Sequence, residues 1–237
     1  MVELLLVVGL GVAVFVGFNI GGSSTGVAFG PAVGSAVVSK LGAAGLMTGF
    51  ALLGGWTVGR EVVETMGARI VPRDEFTLAA SVGVLFFVGV ALLISNVFGV
   101  PASTSMTAVG AIAGLGVATG TLDERVMLEI VSWWIVAPVL AFWVCAVIGR
   151  YVYPYLDARV SLARSDGPLV VLDRSGVPTP RLGPGTTVRE LGTVVLVVGI
   201  ACYMAFSAGA SNVANAVAPL VGSGALSLDA GILLAGG

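Results

Sequence analysis

The chain has 237 residues, of which 57% are hydrophobic and 10% are charged, and its formal net charge is −2. A soluble domain carries about 25% charged residues, so this composition excludes an ordinary water-soluble fold. The chain has no histidine, which excludes histidine-based catalysis and the usual zinc sites. We expect no enzyme activity, no metal centre, no bound cofactor and no nucleic-acid partner.

Charged residues are confined to short stretches between uncharged runs. In chain order the uncharged runs are Leu4–Ser39, Leu41–Gly59, Phe76–Leu122, Ile130–Gly149 and Leu191–Leu228. A transmembrane helix needs roughly 20 apolar residues, so the two shortest runs fit one span each. The three longer runs suit two passes, or one span and a broken segment. We therefore predict an all-α integral membrane protein built as a polytopic helical bundle.

Residues 1–149 are predicted to form a first membrane half. In chain order its elements are a span at Val2–Ile20, a broken segment of small residues at 21–39, a span at Leu41–Gly59, a loop at Arg60–Glu75, a span at Phe76–Phe98, a proline-hydroxyl segment at 99–120 and a span at Ile130–Gly149. Residues 150–190 are the predicted linker, in which proline and glycine favour turns. Residues 191–237 begin the second half.

The distribution of arginine and lysine predicts the orientation in the membrane. The linker carries six arginines, and positively charged loops remain on the cytoplasmic side. We therefore predict a multi-pass protein of the cell membrane with the linker in the cytoplasm. Counting the spans back from the linker places the N-terminus outside.

An internal repeat appears when the chain is shifted by 188 residues. "GGSSTGVAFGPAVGSA" (Gly21–Ala36) then lies over "GASNVANAVAPLVGSG" (Gly209–Gly224), with proline, serine and glycine in register. Five predicted passes separate the copies, so the second enters the membrane from the opposite side. Inverted repeats with interrupted helices are typical of secondary transporters. We expect broken or re-entrant helices, with the breaks at Gly21, Pro31, Pro101, Gly209 and Pro219.

Hydroxyl and amide side chains in these segments are predicted to bind a polar substrate. In "PASTSMT" (Pro101–Thr107), proline favours the first turn of a helix, and a helix N-terminus attracts anions. The predicted anion-binding residues are Ser23, Ser24, Thr25, Ser103, Thr104, Ser105, Thr107, Ser211, Asn212 and Asn215. Two alternatives stay open: an ordinary helix cap at Ser103, and serines or glycines that serve only packing or bond to their own helix.

The motifs resemble the inorganic phosphate transporter (PiT) family. That family carries a GANDVAN-type motif in each inverted half, followed by F-G-T-x-V-G-S or I-G-P-L, and a P-x-S-T-T-H-T-type segment. Here "FGPAVGS" (Phe29–Ser35), "VAPLVGS" (Val217–Ser223) and "GVPASTSMTAVGA" are similar. The resemblance implies alternating-access transport of an oxyanion coupled to Na⁺ or H⁺. Phosphate is the oxyanion that the family name implies.

The chain departs from the family pattern at its acidic positions. The family's Asn-Asp pair falls on Ser23–Ser24 in one copy and on Ser211–Asn212 in the other, and its histidine falls on Met106. Without these carboxylates, neutral oxygens of Ser24, Asn212 and Asn215 are the predicted ligands of a coupling Na⁺.

Several expectations concern the whole protein. No second proline-hydroxyl segment follows the second copy, so we expect a longer chain. The predicted partners are the lipid bilayer and inorganic phosphate or another oxyanion, with a homo-oligomer left open. The alternatives for function are a permease for sulfate or another oxyanion and, in a different class, a passive channel or a scaffold subunit.

Overall fold

The computed structural model describes residues 2–100, 102–157, 170–173, 179–182 and 187–236. Its helices and strands in chain order are α1 (Val2–Gly34), α2 (Lys40–Thr57), α3 (Gly59–Ala68), α4 (Leu78–Phe98), α5 (Thr104–Thr119), α6 (Glu124–Val147), α7 (Tyr153–Asp157), β1 (Val170–Asp173), β2 (Thr179–Leu182), α8 (Val188–Gly222) and α9 (Leu228–Gly236). A 3₁₀ turn covers Arg73–Glu75 and a π-helical stretch covers Ile148–Val152.

The described residues include four helices that are long and apolar enough to cross a membrane. They are Glu3–Gly34, Leu78–Phe98, Glu124–Tyr155 and Glu190–Gly222. The pair α2 and α3 passes the same test when taken together, although a bend of 61° separates the two helices. The predicted class, an all-α polytopic membrane protein, is confirmed. Within the linker, β1 pairs with β2 in antiparallel orientation.

The chain divides into two compact units, residues 1–130 with 201–237, and residues 131–200. In the first unit α1 packs along α4, α4 packs against α5, and α2 contacts α9. Its core is mainly apolar and includes Val16, Phe29, Leu85, Ile112 and Leu220, all of which are fully buried. In the second unit α6 buries none of its residues within the described chain. The predicted division at 149 and 190 stays a prediction.

The predicted breaks inside the two repeat copies are wrong. α1 continues through Gly21 and Pro31 to Gly34, and α8 continues through Gly209 and Pro219 to Gly222. Each proline lies in the last turn of its helix, where a missing N–H removes only one hydrogen bond before the helix ends. Pro101 lies outside the described residues.

Residues predicted to form a charged loop fold instead as α3. Val63 and Met66 lie on the buried face of this helix, while Glu61 and Glu64 remain exposed. The apolar residues recur at helical spacing, so the segment can bury one stripe and leave its charges on the other face. The charges alone therefore gave the wrong prediction for this segment.

The repeat extends beyond the segment found in the sequence. Ala36 and Gly224, which are 188 residues apart, both adopt positive φ angles, of 55° and 72°. Three residues later in each copy a serine caps the next helix: Ser39 accepts a hydrogen bond from Gly42 N, and Ser227 accepts one from Ala230 N. Thus α9 begins as α2 does, and both copies share a helix, a left-handed turn and a serine cap.

Glycines bring α2 and α3 close to the second copy in α8. A Cβ added to Gly54 would overlap the backbone carbonyl oxygen of Phe206, and one added to Gly209 would overlap that of Ala51. A Cβ on Gly67 would lie 2.9 Å from the carbonyl oxygen of Ala218. These glycines therefore permit backbone-to-backbone packing, as small residues do in membrane helices.

Candidate functional site: a polar cluster between the repeat copies

Five polar side chains from three helices form one hydrogen-bonded group, which we call the polar cluster: Ser24, Thr104, Ser105, Asn212 and Asn215. The Thr104 hydroxyl donates to Asn212 Oδ1 at 2.8 Å, and Asn212 Nδ2 donates to Ser24 Oγ at 3.0 Å. Asn215 Nδ2 lies 3.1 Å from Ser105 Oγ and 3.3 Å from Thr104 Oγ1. All five residues belong to the predicted anion site.

The N-terminus of α5 supplies two members of this group. α4 ends at a left-handed cap on Gly99, with φ of 65°, and Ser103 then caps α5 by accepting a hydrogen bond from Met106 N. Thr104 and Ser105 follow in the first turn, where backbone N–H groups have no acceptor within the helix. α5 thus begins at the hydroxyl residues, and Ser103 acts as an ordinary cap.

Asn215 is the most deeply buried member of the polar cluster. It is 1% exposed. Among the buried side-chain oxygen and nitrogen atoms of the described residues, Asn215 Oδ1 is the one without a hydrogen-bond partner. Leaving a buried acceptor unpaired costs about 1–3 kcal/mol. A buried polar atom without a partner calls for an explanation, and a polar ligand that completes the group is one.

The two copies of the repeat touch each other at equivalent positions. Asn212 follows Ser24 by 188 residues, and the hydrogen bond between them is also a bond between α1 and α8. In an isologous interface a two-fold axis passes between a residue and its own equivalent. The polar cluster thus lies where the two copies meet.

Ser24 lines two cavities. One, of about 410 Å³, lies among α1, α2, α8 and α9 and has Ser24, Thr25, Thr48 and Asn212 as its polar lining. The other, of about 360 Å³, lies among α1, α4, α8 and the start of α5. Its polar lining residues are Ser23, Ser24, Ser95, Asn96, Ser103 and Thr104. Neither cavity has a charged residue among the described residues that line it.

Four predicted anion-binding residues use their hydroxyls within their own helices. Thr25 donates to Gly21 O at 2.8 Å, Thr107 donates to Ser103 O at 2.9 Å, and Ser211 donates to Ala208 O at 3.2 Å. Ser23 lines the second cavity, but its hydroxyl donates to carbonyls of its own helix, at 3.0 Å and 3.3 Å. These four hydroxyls therefore bond to their own helices, which is one of the alternatives left open by the sequence.

Sequence reasoning missed three polar residues near the second cavity: Asn19, Ser95 and Asn96. Asn19 is 4% exposed and accepts a hydrogen bond from Asn96 Nδ2 on its Oδ1 at 3.1 Å. Ser95 donates to Val100 O. Each lies within a long uncharged run, and an amide at such a position is costly in lipid. That cost is the signal that could have identified the two asparagines.

Comparison with known proteins places this chain in a family. The profile of the phosphate transporter family matches residues 20–234, which confirms the resemblance seen in the motifs. Among curated relatives, "Sulfate permease CysP" of Bacillus subtilis is 32% identical over 94% of this chain and 56% of its own length. A "Putative phosphate permease" of Helicobacter pylori strain J99 is 28% identical over 92% of this chain and 51% of its own length.

A third curated relative has a similar name. A "Putative phosphate permease" of Methanocaldococcus jannaschii is 28% identical over 59% of this chain and 45% of its own length. The chain therefore spans about half the length of the curated relatives it matches. No solved structure matches the chain.

Proposed function

Because the chain belongs to the phosphate transporter family, we propose that the protein containing it carries inorganic phosphate across the cell membrane by cation-coupled, alternating-access transport. The polar cluster carries this proposal. It joins the start of α5 to both copies of the repeat through hydrogen bonds of 2.8 Å and 3.0 Å that meet at Asn212. Substrate sites of transporters with inverted repeats lie at such junctions.

The anion would be held by neutral donors. The hydroxyls of Thr104 and Ser105 and the first N–H groups of α5 lie at the positive end of a helix dipole, which favours a negative charge. An entering oxyanion would replace the internal bonds from Asn212 and Asn215 with bonds to its own oxygens. Because Asn212 also holds Ser24, the same exchange loosens the contact between the copies and so couples binding to their movement.

The coupling cation would bind neutral oxygens. Asn215 Oδ1 is buried and lacks a partner in the described part of the chain. Pro219 cannot donate to the backbone carbonyl of Asn215, so a second oxygen loses its usual donor. Asn212 Oδ1 and Ser24 Oγ lie in the same cluster. This set of oxygens suits Na⁺ and offers no carboxylate to carry a proton.

Uptake of labelled phosphate by the complete gene product in proteoliposomes tests the proposal. Thr104→Val keeps the shape of the side chain but removes a hydroxyl that bonds to both asparagines. A lost hydrogen bond to a charged group costs about 1.5–3 kcal/mol, or about 10- to 100-fold in uptake. Thr119→Val makes the same exchange at the other end of α5, where the hydroxyl donates to Leu115 O, and should transport as the wild type does.

The same assay decides between transport classes. Uptake that requires an imposed Na⁺ or H⁺ gradient supports coupled transport and identifies the ion. Uptake that proceeds equally without either gradient would indicate a passive channel instead. Equal uptake by Thr104→Val and the wild type would contradict the assignment of the polar cluster as the anion site.

Sulfate is the second candidate substrate. Two observations favour it: neither cavity has a charged lining residue among those described, and a relative 32% identical to this chain is named a sulfate permease. Sulfate is a tetrahedral anion without a proton, so a site that binds it needs only hydrogen-bond donors. If excess sulfate abolishes phosphate uptake while labelled sulfate enters faster, sulfate is the substrate.

A further inference from the structure

Asn96 contributes an amide to the second cavity. It lies in the last turn of α4, where the backbone N–H of Gly99 donates to its carbonyl in a left-handed cap. Asn96 is an exposed residue and lines the cavity together with Ser24, Ser103 and Thr104. No sequence motif points to Asn96, so its role must be inferred from its contacts.

The orientation of the Asn96 amide is fixed by α1. Asn96 Nδ2 donates to the backbone oxygen of Asn19 at 3.2 Å and to Asn19 Oδ1 at 3.1 Å. Asn19 Nδ2 in turn donates to Phe15 O at 2.9 Å. A backbone oxygen only accepts hydrogen bonds, so neither amide can be turned over without facing oxygen with oxygen. The Asn96 nitrogen is thereby held by Asn19, and its Oδ1 has no hydrogen-bond partner within the described residues.

The other polar groups in the cavity are suited to donate. Ser24 Oγ accepts a hydrogen bond from Asn212 Nδ2, and Ser103 Oγ accepts one from Met106 N. A hydroxyl that accepts through its oxygen keeps its own proton to donate. The residues that line the cavity therefore include hydroxyls free to donate and, in Asn96 Oδ1, an acceptor that cannot donate.

Phosphate and sulfate differ in the group that this acceptor would meet. Near neutral pH inorganic phosphate keeps at least one P–OH group, whereas sulfate has no proton and presents only acceptor oxygens. A carbonyl oxygen that faces sulfate is therefore repelled, while one that faces phosphate accepts a hydrogen bond. A site built to bond a substrate hydroxyl discriminates strongly against the analogue that lacks it.

We propose that Asn96 Oδ1 accepts the hydrogen bond of the phosphate hydroxyl and so sets the preference for phosphate over sulfate, with Asn19 as its positioning residue. The proposal rests on the function proposed above. It also explains how a site without carboxylates distinguishes the two anions: a neutral acceptor recognises the proton without adding a negative charge that repels the dianion.

The test measures uptake of labelled phosphate and labelled sulfate by the same proteoliposomes, with the complete gene product. The ratio of the two rates does not depend on how much protein is folded. Asn96→Leu removes the acceptor at similar size, and we expect the phosphate-to-sulfate ratio to fall about 10-fold or more. Val97→Leu, at an exposed neighbour, is the control and should leave the ratio unchanged.

A second variant tests the positioning role. Asn19→Ala frees the Asn96 amide to turn, so we expect the ratio to fall, whereas a purely structural defect would lower both rates equally. An unchanged ratio in Asn96→Leu overturns this inference, and phosphate uptake by the wild type would then still support the proposed function. Absence of phosphate uptake by the wild type would contradict the proposed function itself.

Discussion

Individual side chains were predictable to the extent that their polarity conflicts with their surroundings. Thr104, Ser105, Asn212 and Asn215 stood out because amides and hydroxyls interrupt uncharged runs, and the structure brings them together. The hydroxyl of Thr107 was equally conspicuous but donates to Ser103 O in its own helix. Beyond the first turn of a helix, serine and threonine have such an acceptor three or four residues back. Sequence alone cannot show which hydroxyls use it.

The contact between Ser24 and Asn212 leads to a prediction at the scale of the residue. Ser24→Ala and Asn212→Ala should each destabilise the protein, and the double variant should lose less than the sum. Hydrogen bonds between membrane helices couple by about 0.6 kcal/mol on average and reach about 1.7. Unfolding free energies in detergent measure this coupling. Ser24→Ala combined with Thr119→Ala is the additive control, and additivity in the Ser24 and Asn212 cycle would show that the bond contributes nothing.

The helices themselves followed from hydropathy, while their interruptions did not. α4 and the second copy in α8 lie where long apolar runs placed them. Glycine and proline were expected to break the helices, yet α8 continues through Gly209 because that glycine lets the backbone of Ala51 approach. A glycine that permits close packing and a glycine that ends a helix look alike in one sequence, since the difference lies in a neighbour distant along the chain.

Because α2 packs closely against α8, replacing glycine by alanine should change the stability differently at two positions of α2. Gly54→Ala places a methyl group on the backbone oxygen of Phe206, so the helices must separate, at a cost of about 1–3 kcal/mol. Gly49→Ala on the same helix meets nothing within 4 Å and should be neutral or stabilising by up to about 1 kcal/mol, because alanine favours helix. Thermal unfolding in detergent distinguishes them. Equal melting temperatures would contradict the packing described for α2.

At the scale of the molecule, the repeat was visible in the sequence but its extent was not. The match of Gly21–Ala36 with Gly209–Gly224 rested on identical residues. The structure continues the equivalence to Ser39 and Ser227, each of which caps a helix. The residues between the matched segment and these serines differ in the two copies, so there the repeat is seen only in the backbone conformation. The orientation of the copies relative to the membrane stays a prediction.

Membrane orientation is tested by the accessibility of single cysteines. In a variant without Cys145 and Cys202, we expect Asp74→Cys to react with an impermeant maleimide applied to intact cells. Asp173→Cys, in β1 of the linker, should react only after the membrane is permeabilised, because the arginine-rich linker is predicted to be cytoplasmic. The reverse labelling pattern would invert the predicted topology, with the N-terminus inside.

The bond between Ser24 and Asn212 also bears on ancestry. If a single unit once paired with a second copy of itself, the residue at this position faced an identical residue, because a two-fold axis permits nothing else. Fusion of two genes removes that constraint. The chain now carries a hydroxyl on one side and an amide on the other, and only the amide also accepts from Thr104. Duplication thus allowed one position to divide into two residues with different tasks.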